Sequence, residues 1–324
     1  MIKIVFFGTP EFALSSLRAL TAHGEIAIQA VVTQPDKPKG RSLQKTPSSV
    51  AQCAEELGLP VIKIENLINN QEVFDQLSRY HADLYAVVAF GVILPSALLA
   101  LPARGALNLH PSLLPRYRGS SPIQTAILNG DTETGITVML LDEKMDHGPI
   151  VAQHTVQINT NDTSPTLSDR LSIMGAQLLV KGMLDYSNGK VQPYAQDERY
   201  VSYTKQISKD DGRIEWTKTS KEIARQIRAY KPWPGSWTIL DNKGKPHTLK
   251  IIDAVPLSTI ADYAQNPLSH TPGKLIQLSR KRYAFVCGGS TLLEIFTVQP
   301  ANRTTMSADS YIRGNLWLID TIKK

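Results

Sequence analysis

The chain has 324 residues and a formal net charge of +6, and 42% of its residues are hydrophobic and 20% charged, proportions typical of a soluble globular protein with two domains. Its two cysteines, Cys53 and Cys287, lie far apart and lack the spacing of a zinc site or a redox pair. The N-terminal apolar run is too short for a secretory signal, and no apolar stretch approaches the ~20 residues that span a bilayer, so we expect a cytoplasmic protein without membrane contact.

The first 110 residues alternate predicted strands and helices. Ile2 to Phe7 is a continuous apolar run, typical of a strand buried on both faces. Thr9 and Pro10 suit the N-cap and first position of a helix that reaches about residue 23. Further strands are predicted at 28–33, 59–63, 84–90 and 106–110, and further helices at 48–57, 69–80 and 94–100. This alternation predicts a Rossmann-like, doubly wound, mostly parallel α/β sheet, in which ligands bind beyond the carboxyl ends of the strands.

The segment 33–49 is too long and too rich in proline and basic residues for an ordinary turn. Gly40 allows it to bend, and its basic side chains are suited to grip phosphates. The alternative is a mobile, solvated loop. The basic residues concerned are Lys37, Lys39, Arg41 and Lys45.

A pair of polar residues closes the predicted strand 106–110. Side chains two apart on a strand point the same way, so Asn108 and His110 should share one face. A later strand, 136–141, leads to Asp146. An amide can hydrogen-bond a developing oxyanion, an imidazole can move a proton near neutral pH, and a carboxylate can orient the imidazole. We predict an acyl-transfer site here; the alternative is that His110 is a structural histidine.

The rest of the first domain continues the α/β pattern. A helix is predicted at 120–129, an outer strand at 150–158 and a longer helix at 163–187. The polar stretch that follows has weak periodicity and is typical of a linker. We therefore expect a catalytic domain over 1–189, a linker over 190–206 and a second domain over 207–324.

The second domain has a different pattern and a different charge. After a helix at 220–230, short apolar runs separated by Gly, Asn and Pro predict a small antiparallel barrel or sandwich. Residues 1–189 carry a net charge of −3, whereas 190–324 carry +9. A basic surplus favours a polyanionic partner such as nucleic acid, although a solvated basic surface is also compatible with it. Lys221, Arg225 and Arg228 recur at helical spacing and are candidates for contact with such a partner.

The glycine turn after the first strand is not a dinucleotide fingerprint. Gly8 stands alone, without the further glycines that let a backbone approach a pyrophosphate. A nicotinamide-dependent enzyme is therefore disfavoured.

Two long motifs resemble the signature of the folate-dependent formyltransferases. They are NLHPSLLPRYRGSSPIQ, which begins at Asn108, and ETGITVMLLDEKMDHGPI, which begins at Glu133. The segments FFGTPEFA, TQPDKPKGR, AFGVILP and KPWPGSW extend the resemblance over nearly the whole chain.

The resemblance implies formyl transfer from 10-formyltetrahydrofolate to the α-amino group of methionine carried on initiator tRNA, without a metal. It implies that Asn108, His110 and Asp146 are catalytic, that Arg41 lies in a loop that contacts the tRNA, and that the second domain is an OB-like barrel that binds the same tRNA. We expect a monomer, since no self-association segment is evident. The residues that the resemblance places at the folate are Phe90, Gly91, Ile93, Ser112, Leu113, Leu114 and Pro115.

Two positions depart from the commonest family pattern, and rival functions stay open. Pro111 stands where glycine or alanine is frequent, and His147 where threonine is frequent. A formyltransferase that acts on glycinamide ribonucleotide would not need the basic second domain. One that acts on an amino-sugar nucleotide would have a second domain but no tRNA-directed basic surface. A non-catalytic RNA-binding protein would not need the three catalytic residues.

Overall fold

The computed structural model describes residues 1–39, 44–67, 70–242, 244–257 and 271–319. The chain divides into two compact units. The first comprises residues 1–123, 133–158 and 166–205, and the second comprises 124–132, 159–165 and 206–324. Residues 190–205, where the sequence predicts a linker, therefore lie in the first unit.

The strands and helices that precede the second sheet follow the predicted alternation. The strands are Ile2–Gly8 (β1), Ile26–Thr33 (β2), Lys37–Lys39 (β3), Gln44–Thr46 (β4), Val61–Lys63 (β5), Leu84–Val88 (β6), Ala106–His110 (β7), Arg118–Gly119 (β8), Glu133–Leu140 (β9), Ile150–Gln157 (β10) and Tyr203–Thr204 (β11). The helices are Leu14–Ala22 (α1), Ser49–Glu56 (α2), Gln71–Ser78 (α3), Ser96–Leu99 (α4), Pro122–Asn129 (α5) and Ser164–Ser187 (α6).

Seven strands form the main sheet in the order β10-β9-β7-β6-β1-β2-β5. The five strands from β7 to β5 are parallel, and β9 and β10 add an antiparallel edge. Strands buried on both faces need continuous apolar runs, and β1 and β6 supply them. The carboxyl ends of β6 and β7 meet at one edge of the sheet, since these parallel strands are neighbours.

The helices begin where local capping allows. Ser48 accepts a hydrogen bond from the main chain of Ala51 at the start of α2, and Asn70 accepts one from Val73 at the start of α3. The predicted N-cap at Thr9 is wrong, because the Thr9 hydroxyl donates to the Phe90 carbonyl at 3.0 Å. A short 3₁₀ turn, Glu11–Ala13, precedes α1 instead.

The described residues of the segment 33–49 include two short strands that pair as a hairpin. Strands β3 and β4 pair antiparallel, with Lys37 opposite Thr46 and Lys39 opposite Gln44. Arg41 lies outside the described residues.

The second unit contains the second sheet. Its strands are Ser236–Asn242 (β12), Lys245–Leu257 (β13), Leu275–Ser279 (β14), Arg282–Cys287 (β15), Thr291–Pro300 (β16) and Met306–Ser307 (β17), and its helices are Ser220–Ala229 (α7) and Ala308–Arg313 (α8). The strands are antiparallel in the order β12-β13-β16-β15-β14, and β17 pairs with β16. Register shifts between Ile251 and Ala254 help to curl the sheet, so the expected α/β sheet followed by a small OB-like barrel is confirmed.

Helix α7 packs on this sheet through an apolar face. Thr219 and Glu222 form the predicted capping box. Ile223 and Ile227 are buried in one cluster with Phe285, whose ring stacks on Trp216 at 4.3 Å. Because burial of the apolar face fixes the orientation of α7, the remaining polar faces point away from this cluster.

None of the helices within the described ranges is long and apolar enough to cross a bilayer. Both cysteines are buried and free, and burial raises the pKa of Cys287 to about 12.

Candidate active site

Asn108 and His110 lie at the carboxyl end of β7 and are both buried. As predicted, they are alternate residues of one strand and share one of its faces. Among the residues that the structure describes, none accepts a hydrogen bond from the Asn108 side chain or donates one to it. An amide that is held on a rigid strand and is not used by the fold can donate to a ligand.

The His110 imidazole is fixed by contacts at both ring nitrogens. Nε2 lies 2.9 Å from the main-chain oxygen of Tyr117, to which it donates because a carbonyl can only accept. Nδ1 lies 3.7 Å from a carboxylate oxygen of Asp146. In the neutral ring Nδ1 is therefore the basic nitrogen, and it faces a carboxylate able to stabilise the imidazolium.

Asp146 is held in an unusual main-chain conformation. Its φ of +48° lies in the left-handed region, which is costly for a residue with a side chain. The main-chain N–H of Gly119 donates to its carboxylate at 2.7 Å. Two residues later Gly148 allows close packing, because a Cβ there would lie 1.9 Å from the Leu140 oxygen. The structure thus brings the three predicted catalytic residues together at one edge of the first unit.

The tripeptide 117–119 contacts both His110 and Asp146, and it is anchored in turn by the segment 202–204. Strand β8 pairs parallel with β11, and the Tyr117 N–H donates to the Ser202 hydroxyl at 2.9 Å. A Cβ at Gly119, whose φ is +111°, would lie 2.7 Å from the Thr204 oxygen. Residues that the sequence assigned to a linker therefore support this site.

Sequence reasoning missed a buried polar group beneath Asp146. The Gln196 amide donates to the main-chain oxygens of Asp146 and Gly148, at 2.9 Å each. Its oxygen accepts two hydrogen bonds from the buried Arg118 guanidinium, at 3.0 and 2.8 Å, and Arg118 also pairs with Glu198 at 2.7 Å. Arg118 stands within the recognised motif, but no pattern in the sequence marks Gln196.

Arg118 and Glu198 each stabilise the charged form of the other. The hydrogen bond from Arg118 lowers the pKa of Glu198. Burial acts to lower the pKa of Arg118, but hydrogen bonds with Glu198 and Tyr203 outweigh it and raise that pKa. Both groups are thereby kept in their charged forms near neutral pH.

The predicted folate segment after β7 is fixed by its neighbours. The Thr137 hydroxyl donates to the Ser112 oxygen and accepts from the Leu114 N–H, at 2.7 and 3.1 Å. The Gln153 amide donates to the Leu114 oxygen at 2.8 Å. Ser112 is fully buried and its own hydroxyl donates to the Arg116 oxygen, so this side chain serves the loop, whereas Leu113 and Pro115 are partly exposed.

The predicted folate segment after β6 divides into buried and exposed parts. The Phe90 ring packs in the core against Phe7, with centroids 5.4 Å apart. Gly91 has a φ of +78°, and the side chain of Ile93 is 74% exposed. Gly91 and the side chain of Ile93 are thus the exposed parts of this segment, whereas Phe90 is buried and its main-chain oxygen accepts hydrogen bonds from Thr9 and Gln34.

His147, one of the two residues that depart from the family pattern, directly follows Asp146 in the sequence. Its Nδ1 is 2.6 Å from a carboxylate oxygen of Asp142, and its Nε2 is 3.7 Å from Glu198. Pro111 is partly buried and follows His110 directly. Neither position displaces Asn108, His110 or Asp146.

The residues predicted to contact tRNA differ in solvent exposure and in hydrogen bonding. Lys37 and Lys45 are exposed on the β3–β4 hairpin, and Lys39 lies on β3. Of the three basic candidates on α7, only Lys221 is exposed. Arg225 donates to the Asn129 oxygen at 3.1 Å, and Arg228 to the Asp162 oxygen at 2.7 Å, within the second unit.

The arrangement as a whole supplies an unpaired amide donor, an imidazole with one basic nitrogen and a carboxylate that faces this nitrogen. These are the groups needed to stabilise a tetrahedral oxyanion and to move the proton of an attacking nucleophile.

Comparisons with known proteins agree with this chemistry. The family model described as formyl transferase matches residues 2–183, and the model described as formyl transferase, C-terminal domain, matches residues 206–316. The methionyl-tRNA formyltransferase of Chloroflexus aurantiacus is 41% identical over 313 residues, 97% of each chain. That of Listeria monocytogenes is 38% identical over 314 residues, 97% of this chain and 96% of the relative.

Solved structures share the fold at lower identity. An N-formyltransferase from Helicobacter canadensis, crystallised with folinic acid and dTDP-3-aminofucose, superposes with a TM-score of 0.62 at 20% identity, covering 91% of this chain and 99% of that one. HypX from Aquifex aeolicus in complex with tetrahydrofolic acid gives 0.59 at 14% identity, covering 96% of this chain and 47% of that one.

Proposed function

Because the chain belongs to the formyl transferase family through both of its matched domains, we propose that it transfers the formyl group of 10-formyltetrahydrofolate to the α-amino group of methionine carried on initiator tRNA. The observation that carries the proposal is the identity of 38–41% with methionyl-tRNA formyltransferases over 97% of the chain. We place the enzyme in the cytoplasm, as a monomer.

Asn108 stabilises the oxyanion. When the methionyl amine attacks the formyl carbon, the formyl oxygen gains negative charge, and the free Asn108 amide donates a hydrogen bond to it. The strand holds this donor in place before the reaction, so little reorganisation is needed as charge develops.

His110 and Asp146 manage the proton. Nε2 is engaged by the Tyr117 oxygen, so Nδ1 takes the proton that the attacking amine loses. Asp146 stabilises the resulting imidazolium by the attraction of opposite charges at 3.7 Å, a separation too long for a direct hydrogen bond. The bond from the formyl carbon to N10 of the folate then breaks, and N10 takes up the proton that His110 accepted, which returns the imidazole to its neutral form.

The folate is held by the segments that follow β6 and β7, two adjacent parallel strands. The partly exposed Leu113 and the exposed Ile93 offer apolar surface to a flat ring. Gly91 and the N–H of Leu113 offer main-chain hydrogen-bonding groups. The hydrogen bonds of Leu114 with Thr137 and Gln153 fix the position of the second segment relative to His110.

The tRNA is held by basic residues outside the catalytic edge. The +9 charge of residues 190–324 suits a polyanion. The exposed candidates are Lys37 and Lys45 on the β3–β4 hairpin and Lys221 on α7. Lys39, Arg41, Arg225 and Arg228 complete the proposed set.

The test mixes purified protein with 10-formyltetrahydrofolate and methionyl initiator tRNA and measures formylmethionine. Uncharged tRNA and a dTDP-linked amino sugar are the comparison substrates. Formylation of the amino sugar but not of methionyl-tRNA would overturn the proposal. His110→Ala and Asn108→Ala should each lower kcat by about 100- to 1,000-fold and leave tRNA binding nearly intact. The affinity for tRNA should fall steeply with salt, whereas a flat response would contradict a tRNA substrate.

A further inference from the structure

The loop that carries Asp146 contains a strained residue whose main chain is held from outside the loop. Asp146 has a left-handed main chain, and its neighbour His147 is half-exposed. A residue in such a conformation persists only where its surroundings hold it. At the main chain, the buried side chain of Gln196 donates to the oxygens of Asp146 and Gly148, on either side of His147.

Gln196 is itself fixed by Arg118. Both lone-pair directions of the Gln196 oxygen accept from Arg118, so the amide is oriented with both N–H groups toward the loop. Arg118 is 1% exposed, and Glu198 balances its charge. A glutamine whose donors and acceptors are all used has one orientation available to it.

Arg118 also lies between the two main-chain groups that contact the catalytic side chains. Tyr117 offers its oxygen to His110, and Gly119 offers its N–H to Asp146. Arg118 is therefore connected to both His110 and Asp146. Its sequence neighbours, Tyr117 and Gly119, contact the two side chains. Its guanidinium holds Gln196, which in turn holds the Asp146 main chain.

We infer that Gln196, oriented by Arg118, is a positioning residue for formyl transfer that acts by holding Asp146 at its distance from His110. The inference rests on the proposed function. The segment 196–204 then helps to position the catalytic residues and does not merely link two parts of the chain.

Gln196→Ala removes both donors and should lower kcat about 100-fold, the effect of a misplacement near 1 Å, with KM for both substrates almost unchanged. Gln196→Glu keeps an acceptor for Arg118 but turns an oxygen toward the two carbonyls, so it should be equally impaired. The matched control is Gln226→Ala. Gln226 is also a buried glutamine whose amide donates to main-chain oxygens, those of 211–213 in the second unit, and its loss should leave kcat unchanged.

A double-mutant cycle distinguishes an effect of Gln196 on the position of Asp146 from a general loss of stability of the domain. If Gln196 acts through Asp146, Gln196→Ala should cost almost nothing more in an Asp146→Asn background, because residues that act as a unit are not additive. Single-turnover formation of labelled formylmethionine gives the needed sensitivity. An equal loss in both backgrounds, or a kcat for Gln196→Ala within about threefold of the wild type, would overturn the inference.

A measurement without substrate keeps the inference testable if the proposed function fails. Gly119 donates its N–H to the Asp146 carboxylate, so its amide exchange, followed by NMR, reports on the position of that carboxylate. Exchange should speed up about tenfold or more in Gln196→Ala and stay at the wild-type rate in Gln226→Ala. Unchanged exchange in both variants would overturn the inference, whereas wild-type protein inactive on methionyl-tRNA would overturn only the proposed function.

Discussion

A methyl group added at Gly148 tests whether the position of Asp146 sets the rate of transfer. In Gly148→Ala the new Cβ would lie 1.9 Å from the Leu140 oxygen, whereas real Cβ contacts stay at 3.0 Å or beyond. The main chain must therefore move by at least about 1.1 Å. Gly148 shares the Gln196 amide with Asp146, so the Asp146 carboxylate should move with it. A shift of this size costs about 100-fold in rate, or about 2.7 kcal/mol of activation free energy.

The assay compares kcat at saturating substrates for the wild type, Gly148→Ala and Gly24→Ala. Gly24 is the control because a Cβ there meets no heavy atom within 4 Å. Thermal unfolding of each variant, followed by circular dichroism, establishes that the rates refer to folded protein. If folded Gly148→Ala retains a kcat within about threefold of the wild type, the argument that links loop position to rate is refuted.

Three further predictions follow from individual contacts. His110→Ala should lower kcat about 1,000-fold, the scale of a lost general acid–base, with an unchanged Kd for tRNA; a Kd that rises in parallel would contradict a catalytic role. Arg228→Ala should lower the free energy of unfolding in urea by about 1–3 kcal/mol, since it removes a hydrogen bond from a charged donor to the Asp162 main-chain oxygen, whereas Lys221→Ala, at an exposed position, should not; equal stabilities would contradict the contact. Glu198→Gln should lower Tm at neutral pH. The hydrogen bond from Arg118 lowers the pKa of Glu198, so its stabilisation is present above the unfolded value of 4.5 and is lost as pH falls through the folded value. The Tm difference from the wild type should shrink below pH 4.5, and a constant difference would contradict the ion pair.

The sequence predicted the elements that depend on local patterns. A continuous apolar run identified β1, and the alternation of apolar and polar residues along β7 placed Asn108 and His110 on one face. The spacing of Thr219 and Glu222 identified the start of α7. Each of these depends on residues within one turn or one strand, where periodicity and capping are decisive.

Contacts between distant parts of the chain could not be predicted in this way. Thr9 has the local chemistry of an N-cap, yet its hydroxyl donates to a residue 81 positions away. The basic pattern of α7 indicates a solvated face, yet Arg228 reaches the carbonyl of Asp162, 66 positions earlier. Long side chains choose partners that only the assembled unit brings within reach.

The same distinction applies to the catalytic site. The sequence by itself determined that an amide and an imidazole stand together at a strand end and that a carboxylate follows a later strand, because strand periodicity and motif spacing are local properties. Only the tertiary structure decided how the carboxylate is held. The left-handed Asp146 is fixed by Gln196, 50 residues later, and by Gly119, 27 residues earlier, and hydrogen bonds over such separations form only once the sheet and its following segment have packed.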